Sequence, residues 1–210
     1  MIDLLARPAT EVAPLLLGGV LSVDDVSLRI TEVEAYIGES DPGSHAFRGP
    51  GKRNAVMYGP PGHLYTYFSY GMHVCANVVC SPEGTASAVL LRAGEIVEGL
   101  EVARARRTTS RSDNDLARGP ARLCVAMAIT LADGGARLDE GRFRLEVPAA
   151  PSPFLTSART GVSGDGGTTR YSWRFFIPGD PTVSPYKAST PRKAPISCVR
   201  SSAPSRAVTV

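Results

Sequence analysis

The chain has no apolar run long enough to cross a bilayer. Its best stretch, Val12 to Leu21, is short and broken by Pro14 and the pair Gly18-Gly19, whereas a membrane helix needs about 20 apolar residues. The first residues, MIDLLARPATEV, carry Asp3 and lack the basic-then-apolar pattern of a secretory leader, so the cytoplasm is the expected compartment. Paired CxxC motifs are also missing. Cys75, Cys80, Cys124 and Cys198 do not combine with His45, His63 and His73 into two half-sites at a zinc spacing. Free buried thiols are expected instead, with no metal and no cofactor. No internal repeat is found, which excludes a solenoid.

The body of the chain also lacks a basic excess. The net charge is +3, but Pro185 to Val210 holds five basic residues (Lys187, Arg192, Lys193, Arg200, Arg206) and no acids, so the first 184 residues carry −2. A nucleic-acid partner must then be met by a local surface or with help from the tail. The 210 residues fit one large domain with a substantial core. The residues after 184 are rich in Ser, Pro and Ala without periodicity, which predicts a flexible basic tail.

Local patterns predict an α+β domain, with a mainly antiparallel, curved β-sheet flanked by helices over residues 1–184. A short helix is expected over 8–17, opened by Pro8 and stopped by Gly18-Gly19. The β-branched run VSLRITEVEAYI predicts a strand over 26–37. Residues 38–62 read as a long Gly/Pro loop, a feature that is usually functional in a compact domain. Strands are expected over 63–69, 72–80 and 86–91, and later over 143–147 and 170–177. Helices are expected over 96–107 and, with Pro120 at its first position, over 120–129; a helical turn is expected at 113–117.

The chemistry concentrates between residues 34 and 92. Glu32 and Glu34 are two apart on a strand, so both point to one face, with Tyr36 next in the row. Such a row is most often solvated, yet a carboxylate at a strand end opening into a loop is well placed to activate water. Tyr65 and Tyr67 share a face, either as packed sheet aromatics or as a flat binding surface. Tyr70 stands at a turn beside Gly71, where an exposed ring invites a binding explanation. Asn77 interrupts the apolar strand VCANVV and needs a hydrogen-bond partner or a ligand edge. Arg92 ends AVLL and could pair with Glu34 or Glu95, or hold a phosphate or a water. His45, in the loop, could equally cap a turn.

Together these segments resemble the alkyladenine (3-methyladenine) DNA glycosylases of the mammalian alkylpurine type. The likeness runs from about Leu15 to Ser184 through EAYIG, SHAFRG, KRNAVMYGPPGHLYTYFSYGMHVCANVV, AVLLRA, RGPARLC, RTGV and WRFFIPGDPTVS in order. It implies an enzyme of base-excision repair that turns alkylated or deaminated purines out of duplex DNA and hydrolyses the N-glycosidic bond. By resemblance, Glu34 is the general base, and Arg92 and the backbone carbonyl of Thr160 help to hold the water. Tyr36 and Tyr67 sandwich the base, and His45 completes the pocket wall. Asn77 crowds the amino group of guanine, and Tyr70 fills the gap in the duplex. At position 160 the family commonly has an aliphatic residue. The only lysine in the matching segments, Lys52, lies away from these residues, so no lyase step is implied. Double-stranded DNA with a damaged purine is the expected partner of a monomer. A non-catalytic damage-binding protein of the same fold is the alternative, and a hydrolase of small nucleosides would leave Tyr70 unexplained.

Overall fold

The computed structural model describes residues 1–69 and 71–189. Tyr70 and residues 190–210, most of the tail expected from composition, lie outside the described residues. One open antiparallel sheet organises the rest. Its eight strands are β1 (Val20–Val23), β2 (Val26–Ile37), β3 (Leu64–Ser69), β4 (His73–Val79), β5 (Ser87–Glu98), β6 (Phe143–Glu146), β7 (Leu155–Ser157) and β8 (Arg174–Phe176). The order is β3-β4-β5-β2-β1-β6, with β8 and β7 added beside β2. The fold is thus α+β with few helices.

Strand β2 is the axis. Along one edge it pairs with β5 throughout; along the other, Val20 to Val23 of β1 cover its first half and Arg174 to Phe176 of β8 its second. Glu34 therefore sits mid-sheet, opposite Leu90 on one side and Arg174 on the other. The β2–β5 register shifts between Ile30 and Val33, where Ala93 faces Glu32 but Leu91 faces Val33. Arg92 lies at this irregularity, a common device for re-aiming a side chain. Close backbone approach there needs a glycine: a Cβ on Gly94 would lie 2.5 Å from the Arg29 carbonyl oxygen.

Alternation separates two faces. Leu28, Ile30, Val33 and Ala35 of β2 join Val78, Val89 and Leu91 in the main core, against α2 (Ala9–Leu16) and α4 (Pro120–Ala126). The other face carries Glu32, Glu34 and Tyr36 on β2, Tyr65 and Tyr67 on β3, Asn77 on β4 and Arg92 on β5. Helix α2 begins after Pro8, and Pro120 occupies the first turn of α4, where a missing N–H costs nothing. A short α1 (Ile2–Leu5) precedes them.

The helix expected from residue 96 starts later. Ile96 pairs with Leu28 and Glu98 with Ser27, so β5 continues to Glu98. Gly99, at φ +71°, then turns the chain into α3 (Leu100–Arg106). The long loop 38–62 contains only one 3-10 turn, Ala55–Tyr58. Cys75, Cys80 and Cys124 are buried and free. No helix among the described residues is long and apolar enough to cross a membrane.

Candidate active site

Glu34 and Glu32 are both fully buried, so the solvated-face reading of this row does not hold. Each carboxylate has its own set of donors. On Glu34, Oε1 accepts the Thr160 backbone N–H at 2.6 Å; Oε2 accepts the Tyr36 hydroxyl at 2.8 Å and an Arg92 N–H at 3.3 Å. A carboxylate has about four lone-pair sites. Three are taken here, and the open one is on Oε1, beside Thr160.

Glu32 binds the same arginine from behind. Its Oε1 accepts Arg92 Nε–H at 2.9 Å and Arg174 Nε–H at 2.6 Å, and its Oε2 accepts the Ser184 N–H at 2.7 Å. Burial alone would raise the pKa of Glu32, but the charges of Arg92 and Arg174 outweigh it and hold the carboxyl below its ordinary value. Arg92 is thus aimed by one carboxylate at another. Sequence spacing suggested Glu34 or Glu95 as its partner; Glu95 pairs with Arg29 instead.

A cavity of about 730 Å³ opens on this face. Tyr36, His45, Tyr67, Asn77, Arg92 and Thr160 all line it, so six residues scattered over 125 positions of sequence meet at one place. Glu34 lies just behind that wall, in contact with three of its members. Ser69 and Gly71, the neighbours of Tyr70, also line the cavity.

The aromatic walls have distinct supports. The His45 ring meets Tyr67 edge-on at 4.5 Å between centroids, and its Nδ1 lies 3.0 Å from the Tyr65 hydroxyl. Burial, helped by the nearby charge of Arg53, pulls the His45 pKa down to about 4, so the ring is neutral at pH 7. Asn77 donates an N–H to the Tyr65 carbonyl at 3.0 Å, and it sits opposite Tyr65 in the β3–β4 register. Burial and the Glu34 charge push the Tyr36 phenol well above its usual pKa, which keeps it a hydrogen-bond donor.

Sequence reasoning did not single out the residue behind Tyr36. Arg159 is fully buried and bidentate to fully buried Asp41, at 2.6 Å for each bond. It also donates to the carbonyls of Ala35 and Gly166. Its guanidinium stacks 4.5 Å from the Tyr36 centroid and 5.2 Å from that of Trp173. One side chain thereby ties the loop after β2, the end of β2 and the 158–166 segment together, and places Thr160 against Glu34. Its only signal in sequence was adjacency to Thr160.

A second unexpected group is Lys187. Its carbonyl accepts the Gly161 N–H at 3.0 Å, and the residue lines the cavity. The segment just after residue 184 is therefore part of the site. Among the described residues no cluster of three or more His, Cys, Asp or Glu side chains is placed to hold a metal ion.

An arginine-clamped pair of carboxylates thus lies beneath a tyrosine- and histidine-lined cavity, and comparison with known proteins assigns the class. The family model for methylpurine-DNA glycosylase matches residues 3–181. Proteins named “Putative 3-methyladenine DNA glycosylase” are similar over most of their length. That of Leifsonia xyli subsp. xyli is 59% identical over 194 residues, covering 88% of this chain and 91% of its own. The Streptomyces avermitilis protein is 56% identical over 200 residues, covering 91% and 93%, and the Burkholderia lata protein 48% over 183, covering 85% and 87%. The chain belongs to the methylpurine-DNA glycosylase family, whose members are hydrolytic DNA glycosylases.

Proposed function

We propose that this protein removes alkylated and deaminated purines, of the 3-methyladenine, 7-methylguanine and hypoxanthine type, from double-stranded DNA by hydrolysis. The observation that carries the reading is the placement of Glu34, with a donor from each of three cavity-lining residues and one acceptor site left open. A base inside a duplex cannot present its sugar bond to a buried carboxylate, so it is turned out first, at a lower cost when mispaired or damaged. Unstacking costs roughly a few kcal/mol per step, which an inserted Tyr70 ring partly offsets. Stacking between Tyr36 and Tyr67 contributes roughly 1–3 kcal/mol.

Glu34 then takes a proton from water while Arg92 and the Thr160 carbonyl orient it. The carboxylate also stabilises the oxocarbenium-like sugar as the purine departs. His45, neutral, closes the pocket without repelling a cationic alkylated base, and Asn77 crowds the exocyclic amino group of normal guanine. The protein acts as a monomer on chromosomal DNA in the cytoplasm.

Incubating the purified chain with a duplex holding one hypoxanthine or 7-methylguanine, then assaying abasic sites, tests the proposal. Base release from the lesion strand alone is the expected result. Lesion binding with no release, even at high enzyme excess, would instead make the protein a damage-binding module; release from free nucleosides only would make it a nucleoside hydrolase. For the wedge, Tyr70→Ala should weaken duplex binding more than it slows chemistry on a base that is already unpaired. Equal losses in both assays would remove that role from Tyr70.

A further inference from the structure

We propose that Arg53 is a specificity-determining residue that biases the pocket towards neutral lesions, of the hypoxanthine type, and against cationic alkylated purines. This rests on the site reading above and deepens it by dividing its substrate class. Three cations line the cavity, Arg53, Arg92 and Lys187, and no acid does. Arg92 is compensated by Glu32 and Glu34 behind the wall. Arg53 reaches the Phe68 carbonyl at 3.5 Å, and among the described residues it has no carboxylate partner. Its charge stands uncompensated at the pocket wall.

Geometry ties that charge to the base. The guanidinium carbon lies 5.7 Å from the centroid of the Tyr67 ring, within the roughly 6 Å over which a cation and a ring face attract. Tyr67 is one of the two tyrosines assigned to the extruded base. A stacked ring pair has centroids about 4.5 Å apart, so a base on Tyr67 lies within about 10 Å of the guanidinium, whichever ring face each occupies. The charge already acts in this pocket: after burial, it is the second cause of the lowered pKa of His45, whose ring meets Tyr67 at 4.5 Å. Two unit charges about 10 Å apart change a rate or binding ratio about twofold in bulk water, and about fifteenfold at the effective dielectric constant typical near a protein surface.

The two lesion classes feel this charge in opposite ways. A 3-methyladenine or 7-methylguanine base arrives positive, so Arg53 repels it and competes with it for the π-face of Tyr67. Hypoxanthine arrives neutral. On attack the water oxygen bonds to C1′, its proton passes to Glu34, and the C1′–N bond breaks with its electron pair leaving on the purine. A neutral purine thereby becomes negative until it takes a proton from solvent, and a guanidinium nearby stabilises that charge. A cationic purine leaves neutral and gains nothing from Arg53.

Single-turnover release from duplexes holding hypoxanthine or 7-methylguanine tests the idea at about pH 7.5, where a histidine is neutral with or without Arg53. In Arg53→Met the ratio of 7-methylguanine to hypoxanthine release should rise about fivefold or more, and added salt should shrink the shift. Arg53→Lys keeps the charge and should hold the ratio within about twofold of wild type. Arg53→Gln, a second uncharged variant, should shift the ratio as methionine does, so that a folding defect in one does not decide the matter.

An unchanged ratio in both uncharged variants would overturn the proposal. Equal losses on the two lesions, with a shallower salt dependence of duplex affinity, would make Arg53 a phosphate contact and overturn it too. Undiminished release by Glu34→Gln would instead overturn the site reading itself.

Discussion

Arg92 is bound more closely by Glu32 than by Glu34, at 2.9 Å against 3.3 Å. The first contact sets the direction of the guanidinium; the second is the one that touches the proposed chemistry. Removing the charge of Glu32 leaves two buried guanidinium groups, on Arg92 and Arg174, without their shared partner. Breaking such a buried arrangement typically costs about 3–5 kcal/mol, or roughly 10 °C of melting temperature for a domain of this size. Glu32→Gln should show that loss in a thermal melt; an unchanged midpoint would demote the pair to a spectator.

The same group fixes a pH dependence. The folded pKa of Glu32 lies below its ordinary value of 4.5. Its contribution to stability is therefore complete above the unfolded value and is lost as pH falls through the lowered folded one. Wild-type denaturation curves should weaken as the pH is taken below about 4.5, and Glu32→Gln should flatten that part of the profile. Parallel profiles for the two proteins would contradict the linkage.

Arg159 and Asp41 form the other buried pair, and Asp41→Asn should also cost about 3–5 kcal/mol in chemical denaturation. Trp173, the only tryptophan of the chain, stacks on this guanidinium, so its fluorescence should report the loss directly. Unaltered emission together with unaltered stability would show that the segments are held by other contacts.

His45 gives a titration test. Its pKa of about 4 lies below the ordinary 6.5, so the neutral ring contributes stability above pH 6.5, and this is lost as pH falls from 6.5 towards 4. An NMR titration should place His45 well below the ordinary value, and Arg53→Ala should move it upward. A His45 that titrates at 6.5 or above would mean that the ring is neither desolvated nor next to Arg53.

Much of this was legible locally. The β-branched run of β2 gave its limits, because successive residues that favour extended backbone need no distant partner to declare themselves. The face shared by Glu32, Glu34 and Tyr36 followed from strand alternation alone. The start of α3 was misplaced because Ile96 and Val97 fit a helical stripe as well as a strand; pairing with β2, 68 residues away at Leu28, decides it. The site was legible mainly through family resemblance. Asp41 and Arg159 are 118 positions apart, and neither a DPG loop nor an ARTG turn states that the two will meet in the interior. Lys187 was assigned to a tail by composition, although a single main-chain bond to Gly161 holds it at the cavity.

That bond separates two parts of the basic end. Lys187→Ala should lower affinity for duplex DNA and reduce the slope of log K against log salt by about 1, the signature of one phosphate contact. Deleting residues 190–210 removes Arg192, Lys193, Arg200 and Arg206 and should flatten the slope further if these also reach phosphates. A slope unchanged by either would make this end of the chain a passive extension.

The most direct measurement pairs base release with lesion binding in Glu34→Gln. The amide keeps the size of the side chain and can still accept hydrogen bonds through its oxygen, but it cannot take a proton from water. Single-turnover release from a hypoxanthine duplex should fall to background, while the dissociation constant for the same duplex stays within a few-fold of wild type. Release at an undiminished rate would show that another group activates the water, and the role given to Glu34 would be wrong.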